Sequence, residues 1–342
     1  MSFDDRTLLQ NHRERLYYVL FKNPFQIRKD KLMRKLLCLI VALSCVTTPD
    51  LFAQAKKPPA APTKAATAKT TTPKAPPKKP AGSISKNPYI GAIVIEADTG
   101  KVLFEDKADI PGYPASTLKL MTLLVIQEKI DKGEVKLTDM VGVSVKASKT
   151  GGSQVWLDPR EKFTVEEMLY ALMVKSANDA AVALAEHVSG STEAFVELMN
   201  AKAEKLGMVN SRFASVHGLP PGPGQKQDVS TARDLAVLSR ELCKHPAIFA
   251  YTSTASRPFR ADTKAVVNME THNPFIKGKV EGCDGLKTGW TVAAGYSIAV
   301  TCKRNNRRVI VVVLGSEELK TRDAKAKELL TQAFGQLSGE GR

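Results

Sequence analysis

Apolar positions change rhythm several times along this chain. Residues 36–46, LLCLIVALSCV, form an apolar run behind Met33-Arg34-Lys35 and ahead of Ala53-Gln54-Ala55. A basic start, a short apolar centre and an A-x-A site predict a secretory signal segment over 33–55, with a run too short to span a bilayer. Residues 1–32 are polar and unpatterned, and read as an N-terminal extension ahead of a true start at Met33. Residues 56–84 hold Pro, Ala, Lys and Thr and almost nothing to bury, which predicts a disordered or polyproline-like tether. Its lysines serve either as a solubilising spacer or as a contact to an anionic envelope polymer or lipid surface.

From Tyr89 onward the pattern becomes that of a folded body. Residues 90–95 and 101–105 read as strands around the turn Asp98-Thr99-Gly100. Helical spacing follows over 116–132, 164–175, 179–187 and 192–206, with Thr164 and Glu167 placed as a capping box. Strand-like runs return at 285–290, 297–303 and 308–314, and an amphipathic helix at 320–334 follows. Strands at both ends with helices between them predict an α+β fold whose sheet joins the two ends around a helical insertion. The expected organisation is a catalytic domain over 85–337 and a tail over 338–342.

Charge changes this picture little. The formal net charge is +15, but Lys and Arg outnumber Asp and Glu by 16 to 5 over residues 1–84 and by only 34 to 30 in the remaining 258. The basicity belongs to the N-terminal stretch, which speaks against a nucleic-acid-binding face on the folded body. Cys38 and Cys45 fall in the segment expected to be removed, and Cys243, Cys283 and Cys302 lack metal-like spacing. Cys283 and Cys302 flank a hairpin and pair if exported and oxidised; buried unpaired thiols are the favoured reading. Five histidines without H-E-x-x-H argue against a metal hydrolase, so neither a metal nor a cofactor is expected. His217, before Gly218-Leu219-Pro220, reads as a structural loop residue, and His187 and His245 as surface.

Three short patches carry the chemistry: S-T-L-K at 116–119, S-A-N at 176–178 and K-T-G at 287–289. Ser116 and Lys119, three apart at a helix start, share a face. A serine hydroxyl needs an adjacent base, and a lysine serves as one only when its pKa falls. The helix dipole, burial and a second cation at Lys287 all push it down. Ser176 and Asn178 sit at a helix break, where Ser176 can relay a proton and Asn178 can hold a substrate amide or the Lys119 amine. S-A-N-D at 176–179 also reads as ordinary helix capping. Lys287 and Thr288 on an edge strand can hold a carboxylate, and Gly289 leaves room for a ligand backbone. The amides of Ser116 and Trp290 are candidate oxyanion donors. Each patch alone also fits a solvated helix face, a cap or a guarded edge strand. Together they form a parts list for serine acyl transfer without histidine.

With Y-P-A-S-T-L-K-L-M-T at 113–122, S-A-N-D-A-A at 176–181, H-G-L-P at 217–220 and G-C-D-G-L-K-T-G-W-T at 282–291, residues from about 86 to 334 resemble the D-alanyl-D-alanine carboxypeptidases, the low-molecular-mass penicillin-binding proteins. The resemblance implies a β-lactamase/transpeptidase-like fold, an antiparallel sheet flanked by helices beside an all-helical subdomain. It implies Ser116 as acyl-enzyme nucleophile, Lys119 as base and Ser176 as relay. Asn178, Lys287, Thr288, Gly289, Trp290 and, from L-K-T-R-D-A, Arg322 would bind substrate. The implied partners are peptidoglycan stem peptides and, as covalent inhibitors, β-lactam antibiotics, in the periplasm or cell envelope. Departures are Ala177, where glycine is common, and Trp290, where histidine is frequent. The family's second β-rich domain and C-terminal membrane helix have no counterpart before Arg342, so no C-terminal anchor is expected. A D,D-endopeptidase cutting D-alanyl cross-links is the alternative. A β-lactamase, whose E-x-x-x-N pattern is only echoed by Glu197 and Asn200, and a non-catalytic wall-binding protein rank below it.

Overall fold

A central apolar strand explains the architecture. In a computed structural model describing residues 88–339, strand β9 (Arg307–Ser316) reads V-I-V-V-V-L at its centre and is buried on both faces. Because side chains alternate across a strand, Val309, Val311 and Val313 face one core while Ile310, Val312 and Leu314 face another. The N-terminal extension, signal segment and tether expected from the sequence lie outside the described residues, which fall within the unit Lys78–Arg342; of the expected tail, Ser338 and Gly339 instead continue the last helix and 340–342 lie outside the described residues.

In chain order, β1 (Gly91–Glu96) and β2 (Val102–Asp106) form the expected hairpin. A 3₁₀ turn at Ala115–Leu118 then leads into α1 (Lys119–Asp131). Strands β3 (Met140–Gly142) and β4 (Lys162–Thr164) pair as a small ribbon. Helices α2 (Val165–Tyr170), α3 (Asn178–Ser189), α4 (Thr192–Lys205) and α5 (Ala232–Leu242) follow. A second ribbon, β5 (Ser256–Phe259) with β6 (Val267–Glu270), precedes β7 (Cys283–Thr291), β8 (Gly295–Arg304), β9 and α6 (Leu319–Gly339). The main sheet is antiparallel, in the order β2-β1-β9-β8-β7, so the strand bearing K-T-G is an edge.

One face of this sheet packs on α6 through Ala326, Leu329, Leu330, Ala333 and Leu337. The other joins the helical core, at whose centre lies α1. Residues 119–127 of α1 are all buried, and a helix covered all round must be nearly apolar all round. Lys119 at its start is therefore an exception that calls for a reason.

Local signals set the helix ends. Thr164 and Glu167 form the predicted capping box, worth about 1 kcal/mol. The helix read over 164–175 is α-helical only to Tyr170 and then loosens into a π turn, Ala171–Lys175, which ends at Ser176 with φ 61°. The cap of α3 differs from the expectation: Ala177 is the N-cap, without a side-chain bond. Asp179 instead accepts from the amides of Val155 and Leu157 (3.1 Å each) and of Ala180 (2.9 Å), tying a distant loop to the helix start. Cys283 and Cys302 stand opposite each other on β7 and β8 and are bridged, so the less favoured of the two cysteine readings is the one the fold adopts. Cys243 is a free thiol whose pKa burial pushes up to about 11. No described helix is long and apolar enough to cross a membrane.

Candidate active site

Two glycines and a carbonyl fix the serine turn. A Cβ on Gly289 of β7 would lie 2.8 Å from the Pro114 oxygen and 3.0 Å from the Ser116 amide nitrogen. Gly289 thus lets the strand dock against the serine turn itself, which is a different reason for glycine than the ligand approach read from the sequence. On the other side Gly218, at φ +81°, has its missing Cβ 2.1 Å from the Ala115 oxygen. Thr117 Oγ1 closes the turn by donating to Pro114 O at 2.6 Å. The 3₁₀ turn holding Ser116 is clamped from both sides before any substrate arrives.

Lys119 is fully buried, and its Nζ lies 2.9 Å from Ser116 Oγ, 2.7 Å from Asn178 Oδ1 and 2.8 Å from the His217 carbonyl. Burial, and then the charge of Lys287, hold its pKa well below that of an ordinary lysine; Asp179 and Asp228 oppose the shift without reversing it. A neutral amine has two N–H bonds and one lone pair. The oxygens of Asn178 and His217 accept only, so both N–H bonds are committed to them and the lone pair is left for the Ser116 hydroxyl. The exception in the core of α1 is thereby an arrangement that, as a neutral amine, can take a proton from Ser116.

Asn178 is oriented from its other end, since Nδ2 donates to Gly151 O at 2.8 Å while its backbone amide donates to Ser153 O at 2.7 Å. Of the two roles read for Asn178, holding the Lys119 amine is the one made here. Ser176 is buried at the helix break, and its side of the turn lines the same cleft as Ser116. That cleft has a volume of about 810 Å³, and Thr288, Gly289, Trp290 and Arg322 also line it.

Lys287 is placed differently from the expectation. It is 3% exposed and donates to Thr288 O at 2.9 Å. Burial and the nearby Arg322 lower its pKa to about 7. Thr288 and Arg322 are among the polar residues lining the cleft, with Thr291, Tyr296 and Asp323. Arg322 is itself buried, binding Asp323 (2.8 Å) and the Ser297 carbonyl (3.3 Å). Trp290 is 52% exposed and stacks on Tyr296 with ring centroids 5.6 Å apart.

Sequence reasoning missed three contributors. His217 is more than a loop residue, because its carbonyl is a partner of Lys119; its ring is structural, with Nδ1 accepting from the Leu219 amide at 3.1 Å and a pKa near 4 set by burial and Lys119. His272 lines the cleft and is likewise held near 4, by burial and Lys287. Asp228 is buried close enough for Lys119 to feel its charge. H-G-L-P pointed to the first; no spacing pointed to the others. Far from the cleft, Glu128, Glu241 and His245 approach one another, yet each already pairs elsewhere, with Lys202, Lys244 and Asp131.

Comparison with known proteins gives a consistent picture. Residues 81–318 match the D-alanyl-D-alanine carboxypeptidase family, Peptidase_S11. The chain is 41% identical over 245 residues to D-alanyl-D-alanine carboxypeptidase DacF of Bacillus subtilis, covering 72% of this chain and 62% of that protein. It is 37% identical over 248 residues to DacC of Escherichia coli, covering 71% and 60%. The chain thus spans about three fifths of the length of these relatives. Among solved structures, penicillin binding protein 6B of Escherichia coli superposes with a TM-score of 0.66 at 32% identity, covering 75% of this chain and 78% of that one. Penicillin-binding protein D2 of Listeria monocytogenes in its cefotaxime-bound form gives 0.64 at 31% identity, covering 75% and 100%. The family model spans most of the folded body and the relatives agree with it, so this chain belongs to the D-alanyl-D-alanine carboxypeptidases of Peptidase_S11.

Proposed function

We propose that the protein is a serine D,D-peptidase that removes the terminal D-alanine of peptidoglycan stem peptides through an acyl-enzyme on Ser116. The observation that carries this reading is the placement of Lys119 Nζ within 2.9 Å of Ser116 Oγ, 2.7 Å of Asn178 Oδ1 and 2.8 Å of the His217 carbonyl, which in the neutral amine leaves the lone pair for Ser116. Lys119 takes the hydroxyl proton as Oγ attacks the penultimate D-alanyl carbonyl. The amides of Ser116 and Trp290 receive the oxyanion. Thr288 and Arg322 hold the terminal carboxylate, with the charge of Lys287 behind them. The C–N bond breaks as the leaving amine takes a proton through Ser176, and water then cleaves the ester. A β-lactam follows the same first step and stays attached.

The catalytic domain is proposed to span 85–337, exported by the segment at 33–55 and joined to it by the tether. The Cys283–Cys302 bridge supports an oxidising compartment such as the periplasm or cell envelope. Fluorescent penicillin should label the wild type and not Ser116→Ala; equal labelling of both would remove Ser116 from its role. Digestion of purified muropeptides, read by mass, should release D-alanine from monomers. Conversion of cross-linked dimers to monomers without loss of D-alanine would make the enzyme an endopeptidase instead.

A further inference from the structure

We propose that Asp228 is a positioning residue of the acylation step: through Ser215 it holds the His217 carbonyl that aims the Lys119 lone pair at Ser116. This rests on the reading of Ser116 and Lys119 as nucleophile and base.

The His217 carbonyl can direct the base only if it stays in place, and the segment carrying it is a loop. Three bonds converge from that loop on one buried carboxylate. Asp228 Oδ1 accepts from the amides of Ala214 (2.7 Å) and Ser215 (2.9 Å), and Oδ2 accepts from Ser215 Oγ at 2.7 Å. All three partners donate, the pattern of an ionised carboxylate. Burial raises the pKa of Asp228, and those donors together with the Lys119 charge act against the rise.

Ser215 passes the constraint onward, because its Oγ accepts the Gly218 amide at 2.9 Å and so closes the turn that contains His217. The same turn meets α1 at two donors one helical turn apart. Lys119 Nζ reaches the His217 oxygen at 2.8 Å and Thr122 Oγ1 the Val216 oxygen at 2.9 Å. Gly218 then abuts Ala115, the residue before the nucleophile. Asp228 therefore anchors both a partner of the base and a wall of the serine turn, without touching substrate. Its carboxylate also faces Lys119 electrostatically, alongside Lys287 from β7, Asp179 from α3, His217 of the loop and His272 beyond β6. Among these charges, Asp179 and Asp228 favour the protonated amine and Lys287 disfavours it.

The test is the second-order rate of acylation by fluorescent penicillin between pH 5 and 10, with thermal melting, for the wild type, Ser116→Ala, Asp228→Asn, Ser215→Ala and, as a control, Asp234→Asn. Asp234 is another buried carboxylate that ties a loop, accepting from Asn210 and Ser211, but it lies outside this chain of contacts. Asp228→Asn and Ser215→Ala should each acylate about tenfold or more slowly at the plateau, as a misaimed base requires. The acid limb of Asp228→Asn should move to lower pH, because a carboxylate that favoured the charged amine is gone. Asp234→Asn should melt earlier yet acylate at the wild-type rate per folded molecule. The proposal is overturned if Asp228→Asn and Ser215→Ala keep the plateau within twofold and the acid limb in place, or if their losses vanish when each is assayed equally far below its own melting point. Should Asp228→Asn not fold, the plateau rate of Ser215→Ala decides by the same criterion. Labelling of Ser116→Ala would instead defeat the underlying reading of the nucleophile.

Discussion

The floor and the mouth of the cleft are built on opposite plans. At the floor, Lys119 has no exposed surface, three bonding partners, and neighbours whose glycines admit no added atom. At the mouth, Trp290 and Leu319 are 52% and 46% exposed. The floor fixes the chemistry by over-determining one lysine, whereas the mouth leaves room for recognition to vary. On the proposed function, the departure at Trp290 bears on substrate choice, whereas a departure at Lys119 ends catalysis.

Substitutions at the two places should separate them. Lys119→Arg puts a permanent cation there and provides no lone pair near neutral pH, so acylation should fall about a thousandfold or more, measured with fluorescent penicillin. Gly289→Ala keeps every reacting group but drives a methyl into the serine turn, 2.8 Å from the Pro114 oxygen. Acylation should drop about a hundredfold with a stability loss of ~1–3 kcal/mol, read from kinetics and denaturant melts. Between floor and mouth stands Lys287, whose charge the proposed mechanism uses for the terminal carboxylate and whose pKa burial and Arg322 lower to about 7. In kcat/KM for a D-alanyl peptide, recognition should decline as pH rises through that value, and Lys287→Ala should lose the alkaline limb. At the mouth, Trp290→Ala should change KM a few-fold with kcat nearly constant; a large fall in kcat would mean that the rim also shapes the reacting geometry.

The sequence was most readable where one kind of residue repeats or where spacing carries meaning. The V-I-V-V-V-L run of β9, the Thr164–Glu167 box and the three motifs could all be read as letters. The ribbons β3–β4 and β5–β6 escaped notice because strands of three or four residues are too short to show a period. The cysteine bridge depends on which residues of β7 and β8 stand opposite, a property of register rather than composition. The His217 carbonyl carries no letter of its own, since every residue has one. Asp228 reads as loop polarity until folding brings it beside Lys119. Gly289 has a reason other than the ligand approach read from the letters, because what approaches it is the protein's own serine turn.

The central claim is that Lys119 is held as an amine. Protein carrying carbon-13-labelled lysine, with the Lys119 signal assigned by its loss in Lys119→Arg, allows that side chain to be titrated directly by NMR. Lys119 should titrate well below the ordinary lysine value of 10.5, because burial and the charge of Lys287 disfavour its ammonium form. A Lys119 signal that remains that of an ammonium up to pH 10 would contradict the account.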